Sequence, residues 1–278
     1  MAGIKIIFMK KIILFILLTT TLVQCQEDNP NLEYRFDNFK NTPLSEFAEA
    51  VKKNDTFLIR EIIENKKVDV NYNEPNYGLS LLVLSIANDK AEAFKSLIRY
   101  GANVNAVCGI DFKTTPLLTA ILFSENCNTF YVEHLLKNGS NVNYVLNDGL
   151  FSEDKYDQET PLFESVGKLS DKGLFCDKIS QILIENGANL NQKKYIDPFK
   201  EKKSIIDICL IHKNLFLLYY LFKEDLVEVP KEIELETIDG IEKISLIEYL
   251  KSEEFDFPYS PDFKNKRDEL VKLIEKHN

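Results

Sequence analysis

The chain has few of the residues that enzymes use for acid–base or metal chemistry. Only three of its 278 residues are histidines, His134, His212 and His277, and each lies in a predicted helix or at the chain end. His134 falls between Val132 and Leu135, a position that predicts packing and not proton transfer. The sequence contains no Gly-x-Gly-x-x-Gly, P-loop or Gly-x-Ser-x-Gly motif. We therefore expect neither catalysis nor a metal ion nor a cofactor.

The chain also lacks clustered positive charge. It has 34 Lys and Arg residues against 44 Asp and Glu residues, so its net charge is −10. Nucleic-acid binding needs grouped basic residues that displace counterions from phosphates, and nucleic acid is therefore not an expected partner. An acidic field of this kind steers a basic protein partner towards its site. Solubility alone is the alternative explanation of the same charge.

Cysteines are few, and no two of them form a Cys-x-x-Cys pair, so a zinc site is not expected. Five are present, Cys25, Cys108, Cys127, Cys176 and Cys209. Without Cys25, the other four permit two disulfides in an oxidising compartment but do not require them. Cys209 lies on an apolar helical face, where a cysteine behaves as a small hydrophobic residue. The sequence leaves the pairing open.

The clearest pattern in the chain is a short phrase ending in Asn that recurs at intervals of some tens of residues. Gly-Ala or Gly-Ser precedes it in three of its four occurrences. The four are Val70-Asn71, Asn103-Val104-Asn105, Asn141-Val142-Asn143 and Asn189-Leu190-Asn191. Such self-similarity indicates a repeat protein.

Each repeated segment predicts two short helices. The first begins at Thr115-Pro116-Leu117 or Thr160-Pro161-Leu162, where Thr caps free amides and Pro occupies the first helical position. The second carries apolar residues three and four positions apart, which bury one face. Its stripes are Ile59/Ile62/Ile63, Phe94/Leu97/Ile98, Val132/Leu135/Leu136 and Ile179/Ile182/Leu183. A glycine, Gly101, Gly139 or Gly187, then ends three of these helices.

These segments resemble the ankyrin repeat, which starts with Thr-Pro-Leu-His-x-Ala and closes with Leu-Leu-x-x-Gly-Ala-x-Val-Asn over about 33 residues. The match is strong at residues 100–105 and 186–191. No unit has the His after Thr-Pro-Leu, so we expect its usual hydrogen bonds to be missing. The residues at that place are Ser45, Val83, Leu118 and Phe163.

The resemblance implies an all-α ankyrin-repeat solenoid of about five to six units with β-hairpin-like loops, the last units being degenerate. The predicted domains are a signal peptide (1–24), a lipidated N-terminus with a flexible tether (25–39) and the repeat domain (40–278). The approximate units are 40–77, 78–112, 113–157, 158–201, 202–240 and 241–278.

The N-terminus has the layout of a secretion signal. Lys10 and Lys11 precede an apolar and Thr run over residues 12–23, which is too short to favour a spanning helix. Met9 lies directly before the lysine pair, and this position predicts that translation naturally begins at Met9 and not at Met1. Removal of residues 1–24 takes away three lysines and no acid, so the net charge changes from −10 to −13.

Residues 22–25, Leu-Val-Gln-Cys, resemble a bacterial lipoprotein box, which implies lipidation at Cys25 and attachment to the outer membrane, facing the periplasm or the cell surface. Gln24 departs from the small residue usual before the Cys. The alternative is an ordinary secretory signal cleaved near Gln24 or Gln26. The lipid would be the chain's only contact with the membrane.

Two long loops are the predicted partner-binding sites. The loop at 144–159 combines Tyr144, Phe151 and Tyr156 with several acids, and the insertion at 192–203 combines Tyr195 and Phe199 with lysines. Aromatic residues supply rigid contact area, and the acids select a basic surface. The alternative is that these aromatics pack back onto the repeats.

The sequence therefore predicts a non-enzymatic protein-binding module, anchored by a lipid in a bacterial cell envelope and acting through its loops and the concave face of its first helices. The predicted partner is another, basic protein, and we expect the chain to be a monomer. The alternative is an inhibitor or immunity-type protein that neutralises a basic toxin enzyme in the periplasm, because acidic charge could mimic that enzyme's substrate.

Overall fold

The protein is described by a computed structural model, which covers residues 31–110, 113–146, 159–196, 201–237, 240–252 and 262–277. Helices dominate these residues and follow one another in pairs. The first helices of the pairs are α1 (Ser45–Lys52), α3 (Leu81–Ala87), α5 (Pro116–Leu122), α7 (Pro161–Val166), α9 (Ile205–Ile211) and α11 (Leu246–Lys251). The second helices are α2 (Thr56–Lys66), α4 (Ala91–Arg99), α6 (Phe130–Lys137), α8 (Asp177–Glu185), α10 (Leu215–Lys223) and α12 (Phe263–His277).

The predicted helix starts at Thr115 and Thr160 are confirmed. Each threonine hydroxyl accepts a hydrogen bond from the backbone amide three residues later, at 3.2 Å in both cases, and proline occupies the first turn. Ser204 begins α9 through a capping box, since its hydroxyl accepts from the amide of Asp207 while the Asp207 carboxylate accepts from the amide of Ser204. The side-chain oxygens of Thr115, Thr160 and Ser204 thus satisfy amides that the first turns of α5, α7 and α9 leave free.

The first unit begins differently from the two Thr-Pro-Leu units that it resembles. Helix α1 starts at Ser45, after the sequence Thr42-Pro43-Leu44. The Thr42 hydroxyl donates to the carbonyl of Phe39 at 2.9 Å and accepts from the amide of Leu44 at 3.2 Å. It therefore closes a turn before the helix and does not cap the helix itself.

The asparagines of the recurring phrase join successive units. Asn105 of one unit donates its side-chain Nδ2 to the carbonyl of Gly139 in the next unit at 2.9 Å, and its Oδ1 accepts from the amide of Asn141 at 2.7 Å. Asn71 makes the same pair of bonds to the unit that follows it, and so does Asn143. The glycines have φ near +90°, a conformation that other residues adopt only with strain.

Contacts between units run along the row of first helices, since α1 touches α3, α3 touches α5, α5 touches α7, and α7 touches α9. The second helices α2 and α4 also touch, as do α8 and α10, and α10 and α12. Most residues of the predicted apolar stripes are buried, and Ile59, Phe94, Val132, Leu135 and Ile179 are all 0% exposed. The last residue of three stripes is half-buried, namely Ile63, Ile98 and Leu136. The core is therefore a continuous layer between helices of neighbouring units.

The described residues include two antiparallel hairpins, which add short strands to the predicted all-α fold with its β-hairpin-like loops. Strand β1 (Lys194–Ile196) pairs with β2 (Glu201–Lys203), and β3 (Glu232–Thr237) pairs with β4 (Gly240–Ser245). Each hairpin lies directly before a first helix, α9 or α11. Isolated bridges at Asn73–Ser80, Cys108–Thr114 and Leu146–Glu159 close the corresponding loops of earlier units.

Residues 31–39, the described part of the predicted tether at 25–39, pack against the repeats, and residues 25–30 lie outside the described residues. Two short 3-10 turns, Leu32–Tyr34 and Phe36–Phe39, bring Phe36 and Phe39 to 6% and 0% exposure. Tyr34 contacts Phe123 edge to face, with ring centroids 4.7 Å apart. Burial of these two phenylalanines stabilises the packing of this segment on the repeats.

Candidate functional site

The predicted loop at 144–159 is described only at its ends. Tyr144 is half-buried, and beyond it the amide of Leu146 donates to the carbonyl of Glu159 at 2.8 Å, which closes the loop. Phe151 and Tyr156 lie outside the described residues, as do Phe199 of the second loop and the lipidation candidate Cys25. Tyr195 lies in strand β1. The binding role of these residues stays a prediction.

The structure brings the bases of the two predicted loops together. The Lys194 ammonium on β1 forms an ion pair with the Glu159 carboxylate, and both side chains are about one-fifth exposed. Burial, together with the nearby Glu159 charge, raises the pKa of the Glu164 carboxyl at the start of α7. One acidic loop and one basic hairpin thus meet at a shared ionic contact.

A second feature, missed by the sequence reasoning, is a cavity at the turns that join first to second helices. Its volume is about 540 Å³, and it lies between the turn after α3 and the turn after α5. Asp89 and Glu125 are exposed at its rim, while Ser124 and Tyr131 are buried in its wall. The sequence feature that could have indicated this cavity is the polar run after Phe123, which is longer than the turn between α3 and α4.

The cavity wall is fixed by specific contacts. The Tyr131 hydroxyl donates to Oδ1 of Asp89 at 2.7 Å, and burial with this carboxylate nearby raises the pKa of Tyr131, so the phenol stays protonated. The Asn88 side chain donates to the carbonyl of Tyr34 at 2.9 Å, and Tyr34 in turn packs on Phe123. The N-terminal 3-10 turn therefore supports this edge of the cavity.

A disulfide between Cys127 and Cys176 lies beside the cavity and links the turns of two successive units. The two Cα atoms are 5.0 Å apart, and the residues are 49 positions apart in the chain. Asn126 and Cys127 both have positive φ, 49° and 60°. The bond thus holds the irregular turn after α5 against the start of α8.

The other two described cysteines are free and buried, in line with the prediction that Cys209 packs as a small hydrophobic residue. Burial raises the pKa of the Cys108 thiol and of the Cys209 thiol above their ordinary value. Thiols that stay protonated and covered are poor nucleophiles. Neither is placed for chemistry.

Asp177, the residue after Cys176, is a half-buried carboxyl at the start of α8. Burial raises its pKa to about 6, although a hydrogen bond from the Asn214 side chain acts in the opposite direction. Its Oδ1 atom has no hydrogen-bond partner among the described residues. The Asn214 amide also donates to the carbonyl of Val166 at 2.9 Å, which ties the turn of one unit to the preceding first helix.

Two of the three histidines, His134 and His212, occupy packing positions. His134 is half-buried, its Nδ1 lies 2.9 Å from the carbonyl of Phe130, and its ring packs against Phe94 and Phe130. Burial lowers the pKa of His212, which packs against Gly167. Within the described ranges, no group of three or more His, Cys, Asp or Glu residues is arranged to hold a metal ion. In the same ranges, none of the helices combines the length and apolar character needed to span a bilayer.

The described helices form pairs, and each pair packs beside the next. Loops closed by hairpins or bridges and asparagine hydrogen bonds connect these units. This arrangement defines a helical repeat protein. No family model matches the chain. A protein of Acanthamoeba polyphaga mimivirus whose name describes it as an ankyrin repeat protein is 30% identical over 146 residues, which is 52% of this chain and 72% of that relative. The chain belongs to the ankyrin repeat family.

Proposed function

We propose that the chain is a non-enzymatic protein-binding module whose units stack as a solenoid. Its membership of the ankyrin repeat family carries this proposal, because stacked repeats offer extended surfaces for partner proteins. Successive contacts between first helices support the stacking, and so do the asparagine bonds from Asn71, Asn105 and Asn143 to the following units.

We further propose that the chain is secreted and held in a bacterial envelope, as an outer-membrane lipoprotein, by a lipid on Cys25. The charged and apolar layout of residues 1–24 motivates the signal, and residues 22–25 motivate the lipidation. The disulfide between Cys127 and Cys176 supports the secretion, since such bonds persist in oxidising compartments and are rare in the cytosol.

The second candidate function is inhibition of a basic toxin enzyme. The observation that favours it is the pairing of net negative charge with a concave site rimmed by Asp89 and Glu125. Carboxylates placed on a rigid scaffold can occupy an active site that binds an anionic substrate. A scaffold that holds a resident envelope protein does not need a partner with an active site of this kind.

Affinity capture with the immobilised full-length chain tests the function. Envelope proteins from the producing cells and from competing cells are passed over it, and retained proteins are identified by mass spectrometry. Retention of one resident protein in stoichiometric amount supports the scaffold, whereas retention of a basic enzyme that loses activity on mixing supports inhibition. Turnover of a substrate by the purified chain alone would contradict both.

A further inference from the structure

We propose that the cavity between the turns after α3 and α5 receives an arginine side chain of the partner protein. This inference rests on the proposed protein-binding function and deepens it, because it names the chemistry that the partner presents. The cavity volume of about 540 Å³ falls within the range of small-ligand pockets, so a guanidinium and the chain atoms next to it fit inside.

The charge of the cavity selects a cation. Asp89 and Glu125 contribute two carboxylates, and none of the described residues that line the cavity is basic. The whole chain adds a field of the same sign through its net charge of −10. A cation entering this site gains from both carboxylates, and the surrounding charge raises its rate of encounter.

The walls of the cavity favour a guanidinium over an ammonium. Phe123 and Tyr131 are among the residues that line the site, and a planar guanidinium packs well on aromatic side chains while its fork of donors reaches carboxylates. Lysine has a compact, strongly hydrated charge that loses more on leaving water. The edge contact of Phe123 with Tyr34 and the burial of Tyr131 hold both rings in place.

The Asp89 carboxylate and the backbone at Glu125 are held in position before any ligand arrives. Asp89 is oriented by the Tyr131 hydroxyl at 2.7 Å, and a carboxylate has about four lone-pair sites, so acceptor capacity remains for a guanidinium. Glu125 begins the short turn Glu125–Cys127, which the disulfide to Cys176 ties to the next unit. Groups fixed in this way lose little conformational freedom on binding.

The segment that precedes Asn31 is a poor occupant of the cavity. It reaches the described structure beside Tyr34, close to the site, but the residues just before Asn31 include Glu27 and Asp28 and no basic residue. Like charges disfavour its insertion between Asp89 and Glu125. A side chain from another protein, with positive charge, fits the site better.

Titration with N-acetyl-arginine amide, followed by NMR of the isotope-labelled full-length chain in mild detergent, tests the inference. We expect saturable shifts of the backbone amides at residues 86–89 and 123–131. N-acetyl-citrulline amide, which has the same shape without the charge, serves as the matched ligand. We expect its binding to be weaker by at least about tenfold, the loss that removing charge-assisted hydrogen bonds gives.

Three cavity variants and one control variant locate the interaction. Asp89→Asn and Glu125→Gln should each weaken arginine binding by about tenfold, while Glu61→Gln, an exposed charge change on α2, should leave it unchanged. Tyr131→Phe keeps the ring and loses only the hydrogen bond to Asp89, so a smaller loss is expected. Thermal melts check that each variant is folded.

The inference is wrong if citrulline binds as well as arginine, if Glu61→Gln weakens binding as much as Asp89→Asn, or if no saturable shift occurs. Each of these results leaves the protein-binding function to be judged by the capture experiment alone. Capture of a partner whose binding is unaffected by Asp89→Asn would likewise overturn the cavity assignment and leave the proposed function standing.

Discussion

The side chain of Asn105 and the backbone amide of Asn141 are joined by a hydrogen bond of 2.7 Å that connects two repeats. The same side chain reaches the carbonyl of Gly139, an orphan carbonyl after the last turn of α6. One asparagine therefore satisfies two backbone groups of the following unit, which explains why the recurring phrase of the sequence ends in Asn.

Replacing this asparagine should weaken the coupling between units. We expect Asn105→Ala to lower the free energy of unfolding by about 1 to 2 kcal/mol, because two exposed hydrogen bonds are lost and a carbonyl and an amide must find water instead. Urea denaturation monitored by circular dichroism measures the change. Asn76→Ala, at an exposed position in a loop, is the control and should cost much less. Equal losses in the two variants would contradict the bridging role.

The disulfide should stabilise the junction of the third and fourth units. Closing a chain segment of 49 positions restricts the unfolded chain, so we expect Cys127→Ser/Cys176→Ser to lower the free energy of unfolding by about 2 to 4 kcal/mol. Denaturation with and without a thiol reductant provides the measurement. The wild type in reductant should match the double variant, and the double variant should not respond to reductant. A wild type that is insensitive to reductant would show that the bond adds no stability.

Asp177 should make stability depend on pH. Its pKa in the folded chain is about 6, above the ordinary 3.8, so folding favours the protonated carboxyl. Its contribution to stability is therefore greatest below about pH 4 and is lost as the pH rises through 6. Asp177→Asn does not titrate at this position, and we expect it to be more stable than the wild type by about 1 to 2 kcal/mol at neutral pH.

Denaturation series at several pH values measure this difference for Asp177. The gap between Asp177→Asn and the wild type should close as the pH falls towards 4 and should be constant above about pH 7. Asp171→Asn, at an exposed position in the preceding turn, is the matched control. A stability difference that does not change with pH would show that burial does not raise the pKa of Asp177.

The aromatic residues of the loop at 144–159 should matter for the partner and not for folding. We expect Tyr144→Ala, Phe151→Ala and Tyr156→Ala each to weaken the binding of a captured partner, by more than about 1 kcal/mol where the ring is an anchor. The melting midpoint should change little. Binding assays on the captured partner supply the test. Phe57→Ala, an exposed aromatic on α2, is the control. Unchanged binding in all three variants would remove the loop as a binding site.

The anchor can be tested separately by cell fractionation. Cys25→Ala should move the protein from the membrane fraction to the soluble envelope fraction, because the lipid is the proposed attachment. Cys108→Ala, at a buried free cysteine, should leave the distribution unchanged. Membrane retention of the Cys25→Ala chain would rule out lipidation at that residue.

Local sequence predicted the repeats well because their signals act within one unit. Thr115 with Pro116, and Gly101 after the last helical turn, specify a helix start and a helix end through bonds to nearby residues. The β-hairpin-like loops were predicted only as a general feature, and the strand bounds of β1–β2 and β3–β4 were not, since their pairing depends on a few short segments in polar surroundings. Phe36 and Phe39 were overlooked because their contacts are made with later parts of the chain.

The cavity and the disulfide could not be predicted because both arise between units. Asp89 and Glu125 come together only when the turn after α3 lies beside the turn after α5. Four cysteines permit three pairings, and the spacing of Cys127 and Cys176 does not select among them. Positions that meet across a repeat junction are fixed by the stacking of whole units, which no single segment encodes.

The contact between Tyr34 and Phe123 also determines how far the proposed anchor can lie from the cavity. From Cys25 to Asn31 there are six peptide steps, which span at most about 22 Å when fully extended. A chain lipidated at Cys25 would therefore hold the acidic cavity within a few nanometres of the bilayer. Its partner would have to offer an arginine close to the membrane surface, as a membrane-embedded or membrane-bound protein does.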